Sequence, residues 1–315
     1  MNEAAKVDTK RVRRNFSCQA RSYDRHALVQ KRVVERLLER LREWAPVEGP
    51  ALEVGAGTGR LSRALAQAFP QISPCLSDIA HGMTCFAAAS LPGALAADAD
   101  AQALPFRTAS FGLVCSTSVY QWVNDLPRAF AESARVLVPG GRFAFALFGE
   151  GTLFELRESH RLAVAETGSP HSSHVQNFPG EQDVRRALAA AGFRETVVWS
   201  RNEVENHPDV RDLLRHLKQI GARNASENRP PGLSSRRVHD RMTALYRERF
   251  GRKDSIPATY QVIYGLEVIS VQFQVLTFRR KTWRYGAHPR VCPEWPHGAA
   301  PGIGAGVRRR GVLRT

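Results

Sequence analysis

The stretch Ala51 to Gly59 reads ALEVGAGTG, an apolar run holding one acid, Glu53, followed by glycines at positions 55, 57 and 59. Gly55, Gly57 and Gly59 allow a tight turn at positive φ and let a ligand approach without a Cβ in its way. The pattern is Glu-x-Gly-x-Gly-x-Gly, not the Gly-x-Gly-x-x-Gly of dinucleotide sites. Downstream acids extend the chemistry toward a nucleoside. Asp78 follows the first glycine at close to the ~20 positions at which a strand-end carboxylate accepts from ribose hydroxyls. Asp98 and Asp100 precede the loop Leu104-Pro105-Phe106, where a carboxylate can accept from an adenine amino group; Asp100 is the first choice and Asp98 the second. Met83 could pack on an adenine face or in an ordinary core, and Ser116 closes an apolar run whose exit would carry chemistry.

The elements that must position these residues alternate strand and helix. Ala51 to Val54 enters the glycine turn, and a helix over 58–69 follows with Leu61, Leu65 and Ala68 on one face. Strands are expected at 72–77, 95–97, 111–116 and 142–148, the last after a helix over about 126–137 and the turn Pro139-Gly140-Gly141. A helix over 152–165, a helix–strand pair over 181–191 and 193–199, helices over 208–221 and 234–250, and a strand over 259–269 complete the reading. Ahead of the sheet, Phe16, Ala20, Tyr23, Ala27 and Gln30 recur at helical spacing. That face either packs on the sheet or covers a pocket as a lid, with Tyr23 and Gln30 facing in. Residues 1–15 read as a frayed polar end, 16–46 as cap helices, and 150–180 and 202–258 as insertions. From 279 to 315 the chain holds Arg, Gly, Pro and Ala with little periodicity, so disorder is expected.

Charge and composition narrow the function. The formal charge is +15, but nine basic against two acidic residues fall from Leu266 onward, so the body is only moderately basic. Such a body suits an acidic protein partner or an anionic substrate as well as nucleic acid. The longest apolar run, residues 143–148, is too short to span a bilayer, and the N-terminal residues carry no secretory pattern. Five cysteines, odd in number and without metal-like spacing, point to a reducing cytoplasm. His171 and His174 lack a third ligand at metal spacing, so no metal site is expected. No Asn-Pro-Pro-Tyr follows the fourth strand, and the Pro74-Cys75 pair falls in the second; both count against methylation of a nucleobase.

The glycine motif and the helix–Pro-Gly-Gly–strand order resemble class I S-adenosylmethionine (SAM) methyltransferases. Longer stretches are more specific: FSCQARSYDRHALVQ (16–30), SDIAHGM (77–83), SVYQWVNDLP (118–127) and IPATYQVIYG (256–265). With GTLFELRES, HVQNFP and LLRHLKQIGARN, they resemble the malonyl-acyl-carrier-protein O-methyltransferase family of the biotin pathway. Gly112 stands where that family usually carries Asp. The resemblance implies an α/β fold with a Rossmann-like doubly wound sheet, mostly parallel with one antiparallel strand, plus N-terminal and inserted lid helices. It implies SAM as cofactor, held by Glu53, Gly55, Gly57, Gly59, Asp78, Met83, Asp98 or Asp100, and Ser116. It implies malonyl-acyl carrier protein as partner, whose acidic surface would meet the cluster Arg211, Arg215 and Lys218. Pocket candidates are Tyr23, Gln30, Tyr120, Gln121, Trp122 and Arg157, with Arg157 the natural partner of the substrate carboxylate. No general base is expected, because that carboxylate is ionised at neutral pH. A methyltransferase of free dicarboxylic acids and a basic RNA-binding protein on the same fold are the alternatives.

Overall fold

The computed structural model describes residues 6–43, 49–168, 177–227 and 235–269, all within one compact unit that spans Met1–Arg280. His171, His174 and the expected tail at 279–315 lie outside the described residues.

Seven strands make one sheet: β1 (Ala51–Val54), β2 (Pro74–Asp78), β3 (Leu95–Asp98), β4 (Phe111–Thr117), β5 (Leu137–Phe148), β6 (Phe193–His207) and β7 (Ile256–Ile269). Their order is β3-β2-β1-β4-β5-β7-β6, and β7 runs antiparallel to both of its neighbours while β1 to β5 are parallel. This is the mostly parallel sheet with one reversed strand that the resemblance implies. The direction of winding changes between β1 and β4. Such a switch point leaves a crevice at the carboxyl ends of the strands, where ligands bind in open α/β sheets.

Burial explains the strand sequences. Residues 143–147 of β5 are fully buried, as a strand covered on both faces requires. On one face lies helix α3 (Leu28–Glu43), which buries Val33, Leu37 and Leu41 in one core cluster with Leu65, Ala144 and Ala146. On the other, helix α6 (Leu126–Val136) inserts Phe130 between Tyr120 and the phenylalanines at 143 and 145. Each fully buried side chain of this size contributes about 1.5–3 kcal/mol.

Three stretches differ from the sequence expectation. The helical spacing over 16–30 is split among a helix ending at Ser17, a four-residue helix Tyr23–His26 and the start of α3, with turns over 18–22. Residues 1–15 are not uniformly frayed: helix α1 spans Thr9–Ser17, capped by Asp8 accepting from the Arg11 N–H, with Val12 buried. Val7 bridges to Ser226, and the Asp8 N–H donates to the Ala225 carbonyl at 2.7 Å. Strand β6 continues through His207, paired with β7 as far as Ile256, so residues 202–207 and 256–258 of the expected second insertion are strand. Its polar sequence, SRNEVENH, hid the strand. At the sheet edge only one side chain in two needs to be apolar, and here even Glu203 is buried, held by Arg32 and Arg36 at 3.0 and 2.7 Å. Among the described residues no helix is long and apolar enough to cross a membrane, and no group of three His, Cys, Asp or Glu could hold a metal ion.

Candidate active site

The three glycines do three different things. All have positive φ (+70° at Gly55, +54° at Gly57, +77° at Gly59). A Cβ at Gly55 would lie 2.1 Å from the Val119 side chain, and one at Gly59 would meet Ala87 and Ser90 at 3.3 Å. Gly55 thus admits the loop after β4, and Gly59 admits helix α5 (His81–Ser90). At Gly57 a Cβ would meet nothing within 4 Å, because that position faces an open cleft.

The cleft runs along the ends of β1, β2 and β4 and is lined by Gly55, Gly57, Asp78, Ile79, Met83 and Asp100, among others. Asp78 accepts from the Gly57 N–H and from the Ala80 N–H, both at 2.8 Å, which locks the glycine turn to the end of β2. Burial pushes its pKa up to about 6, against the pull of those hydrogen bonds. Asp100 accepts from the Gln102 backbone and side chain at 2.9 and 3.1 Å and faces the same cleft. Arg135 holds the neighbouring loop, donating to the Leu104 and Phe106 carbonyls at 3.0 and 2.9 Å. An open cradle beside a glycine, a strand-end carboxylate and a second carboxylate one strand further on fit a SAM nucleoside and its amino-acid arm.

Four of the expected cofactor residues do not line this cleft: Gly59, which faces α5, and Glu53, Asp98 and Ser116. Glu53 lies beneath the turn, 2% exposed, accepting from the Ser62 N–H and hydroxyl at 2.9 and 2.5 Å. It caps the first turn of helix α4 (Arg60–Ala68) from the sheet side. Burial raises its pKa to about 8. Asp98 turns outward to His81 at 2.9 Å, and Ser116 is fully buried away from the cleft wall.

A second cavity of about 840 Å³ opens on the other side of Trp122. Phe148, Leu153, Leu156, Leu217 and Met242 supply apolar wall; among the described residues Lys218, Arg223 and Arg236, with His160 and His239, supply the ionisable groups besides two tyrosines. Among the described residues no carboxylate lines it. Helices α7 (Phe154–Thr167), α9 (Val210–Gln219) and α10 (Arg236–Phe250) bring these residues together.

Cleft and chamber share four residues: Phe16, Tyr23, Ser118 and Trp122. The Phe16 ring stands edge-on to Trp122 at 5.5 Å and to Tyr23 at 6.4 Å. Tyr23 sits on helix α2 (Tyr23–His26), pinned over the glycine turn by Asp24, which accepts from the Thr58 hydroxyl at 2.8 Å. Burial, reinforced by Asp24 and Asp78, drives the Tyr23 phenol far above its usual pKa, so it stays neutral. Ser118 adopts φ +59°, held by its N–H to the Ala146 carbonyl and by Gln121 donating to its own carbonyl, each at 2.7 Å.

Of the expected pocket residues, Tyr23 and Trp122 stand in the shared wall and Gln121 lines the chamber. The other three do not line either cavity. The Tyr120 hydroxyl is bound to Ser133 at 2.8 Å within the phenylalanine cluster, so this residue is core. Gln30 lies on α3 outside both walls. Arg157 is half-buried, donates to the Glu150 carbonyl, and has its pKa lowered by burial. Thr9 and Val12 on α1 were missed as cleft residues, while Phe16 belongs to the face read as either sheet packing or a lid. Asp8 followed by apolar residues four apart, Val12 and Phe16, was the available signal.

A methyltransferase-domain family profile matches residues 52–145. A malonyl-acyl-carrier-protein O-methyltransferase of Geobacter sulfurreducens is 47% identical over 263 residues, covering 82% of this chain and 98% of its own. The enzyme of that name from Methylococcus capsulatus is 37% identical, covering 80% and 90%. Among solved structures, the YcgJ protein of Bacillus subtilis superposes with a TM-score of 0.51 at 14% identity, over 75% of this chain and 99% of its own, a likeness of fold alone. Identity of this extent across sheet, cap and insertions places the chain in the malonyl-acyl-carrier-protein O-methyltransferase family.

Proposed function

We propose that the protein transfers the methyl group of SAM to the free carboxylate of a malonyl group carried on acyl carrier protein. The observation that carries this reading is the meeting of two unlike cavities at one wall. A cleft with two carboxylates suits a cationic nucleoside ligand, and a chamber with cations and, among the described residues, no carboxylate suits an anionic substrate.

The shared wall explains how so little acid–base machinery suffices. Phe16, Tyr23, Ser118 and Trp122 include no group that could serve as a general base at neutral pH. None is required, because a substrate carboxylate with a pKa near ~4 is already ionised. SAM held in the cleft would supply a methyl on a sulfonium, and its transfer to the carboxylate oxygen would leave the C–S electron pair on sulfur and move no proton. The chain's own work is orientation and exclusion of water, and orientation alone can contribute ~7–11 kcal/mol. Phe16 and Trp122 close the passage to solvent, and the neutral Tyr23 phenol offers a hydrogen bond without pairing away the substrate's charge. Gly57, Asp78, Met83 and Asp100 hold the SAM side, while Glu53 and Gly59 shape the turn that presents it. Lys218 and Arg223 at the chamber replace Arg157 as anion partners, and Arg211 and Arg215, on the same helix as Lys218, would extend a basic face for an acidic carrier. In this reading the ester product opens pimeloyl synthesis for biotin in the cytoplasm, and residues 279–315 are dispensable.

The decisive experiment is mass spectrometry of malonyl-acyl carrier protein incubated with the protein and SAM. One added methyl on the carrier-bound acyl group, with free malonate left unmodified, is the expected result. Equal rates on the two would favour a methyltransferase of free dicarboxylic acids.

A further inference from the structure

Helix α1 supplies one wall of the cleft through Thr9, Val12 and Phe16, and its two ends are held differently. Its C-terminal half is packed against the start of α5. There the Arg13 side chain donates to the Ile79 carbonyl at 2.8 Å and the Gly82 N–H donates to the Ser17 hydroxyl at 3.3 Å. The approach is so close that a Cβ at Gly82 would lie 2.6 Å from the Ser17 carbonyl oxygen. The N-terminal end is held by hydrogen bonds to two loops. Asn124 accepts from the Val7 N–H at 2.7 Å, and its side-chain amide donates to the Val7 carbonyl at 3.0 Å. On the other side the Asp8 N–H donates to the Ala225 carbonyl at 2.7 Å, and the Glu227 N–H donates to the Lys6 carbonyl at 2.8 Å. Val7, Val12 and Ala225 pack there against Phe16 and Trp122.

Both loops reach the cavities. Asn124 stands two residues after Trp122 of the shared wall, and residues 225–227 follow Ala222, Arg223 and Asn224, which line the chamber. The Asn224 side chain also accepts from the Ser226 N–H at 2.8 Å, and Ser226 is the residue bridged to Val7. The chamber is thus walled in part by α1, through Phe16, and in part by the loop that clasps α1. A few backbone hydrogen bonds near a chain end open far more readily than a packed core, so this end of α1 can unlatch while the Gly82 end stays docked. We infer that Asn124 is a positioning residue that latches α1 over the cleft, and that substrate in the chamber tightens the latch and slows release of the bound cofactor. A ligand touching Phe16 and residues 222–224 together binds the latched state better than the open one, and that difference shifts the equilibrium. By linkage, cofactor in the cleft tightens binding of the carrier substrate by the same factor.

The substrate half of this inference rests on the proposed reaction, while the Asn124 contact does not. Dissociation of S-adenosylhomocysteine, which has no methyl to give, is followed by stopped flow for the wild type and Asn124→Ala. Each is measured with and without malonyl-acyl carrier protein, beside thermal melting. Asn124→Ala should release the ligand about ten- to a hundredfold faster, the range for two lost hydrogen bonds, at an unchanged melting temperature. Asn124→Asp keeps an acceptor for the Val7 N–H but loses the donor, and should fall between the two. The carrier substrate should slow release from the wild type about fivefold or more and from Asn124→Ala less than twofold, a coupling that a purely structural role would not remove. Equal release rates, or faster release with a lowered melting temperature, overturn the latch. Release from the wild type that ignores the carrier substrate overturns the coupling. A wild type that fails to methylate the carrier substrate from SAM overturns the reaction instead, and the rates without carrier still decide the role of Asn124.

Discussion

The cleft beside Gly57 is lined by strand ends, a backbone turn and two carboxylates, whereas the chamber across Trp122 is lined by side chains from helices far apart in the chain. In the cleft, position is set by main-chain hydrogen bonds: Asp78 to the Gly57 and Ala80 N–H groups, and Ser118 to Ala146. In the chamber it is set by packing, as Leu156, Leu217 and Met242 come together from α7, α9 and α10. A backbone-built site tolerates little change at a few positions. A packed chamber spreads its demands over many residues, so single changes there tune binding rather than abolish it. That asymmetry suits a protein whose donor is constant and whose partner is large and bound from outside.

Breaking the cleft should give the largest effect. Gly57→Val puts a β-branched residue at φ +54° and fills the open cradle. Calorimetry should register a loss of SAM affinity on the order of a hundredfold or more, the equivalent of about 3 kcal/mol. Retained affinity would mean that the cradle does not receive the ligand.

Asp78→Asn should weaken SAM binding by about ten- to a hundredfold, the range for a charge-assisted hydrogen bond. The sign of the pH effect follows from burial, which holds the Asp78 pKa at about 6. Above that value the carboxylate is ionised and accepts from ligand hydroxyls; below it the proton occupies an acceptor site. Wild-type affinity should therefore fall between pH 7 and pH 5, and the Asn variant should be flat across that window. A matching pH profile in both proteins would remove Asp78 from the ligand contact.

The asymmetry also governs what the sequence could reveal. The cleft was largely legible, because glycine turn, Asp78, Met83 and Asp100 belong to consecutive βα units whose spacing is dictated by the fold. Its errors are instructive. Glu53 belongs to the motif yet reaches only Ser62, so a motif residue can serve the turn without facing the ligand. Tyr120 follows β4, where ligand contacts are expected, but its neighbours Phe130, Phe143 and Phe145 claim the ring. The chamber was nearly illegible. Apolar residues on amphipathic helices look alike whether they face a core or a cavity, and only the tertiary arrangement separates Leu156 from an ordinary core leucine. Tyr260 and Tyr264 both lie in IPATYQVIYG, and no local pattern tells that the first lines the chamber while the second stacks on Trp199.

Reversing charge at the chamber should act more gently. Lys218→Glu with Arg223→Glu should raise KM for the carrier-bound substrate about tenfold and weaken its dependence on salt, while SAM affinity stays unchanged. Steady-state kinetics at two ionic strengths measures both. A fall in SAM affinity of similar size would join the two cavities into one electrostatic unit and dissolve the distinction drawn between them.

The smallest effect should come from Glu53, which lies under the cleft without lining it. Its folded pKa of about 8 exceeds the usual 4.5 because burial disfavours the anion. The unfolded chain gives up this proton as pH rises past 4.5 while the fold keeps it to about 8, so this residue makes stability fall with rising pH across that window. Glu267, raised to about 8 by burial, acts in the same direction and would persist in a Glu53 variant. Glu53→Gln keeps an acceptor for Ser62 and has no proton to lose. It should be more stable than the wild type at pH 7 by about 1 kcal/mol, with a shallower decline between pH 5 and pH 8 in denaturant titrations. SAM affinity should change less than about twofold, because the turn it supports is also held by Asp78. A large loss of affinity would show that the turn's shape depends on the cap beneath it, and the cleft would then be less purely a matter of backbone than its glycines suggest.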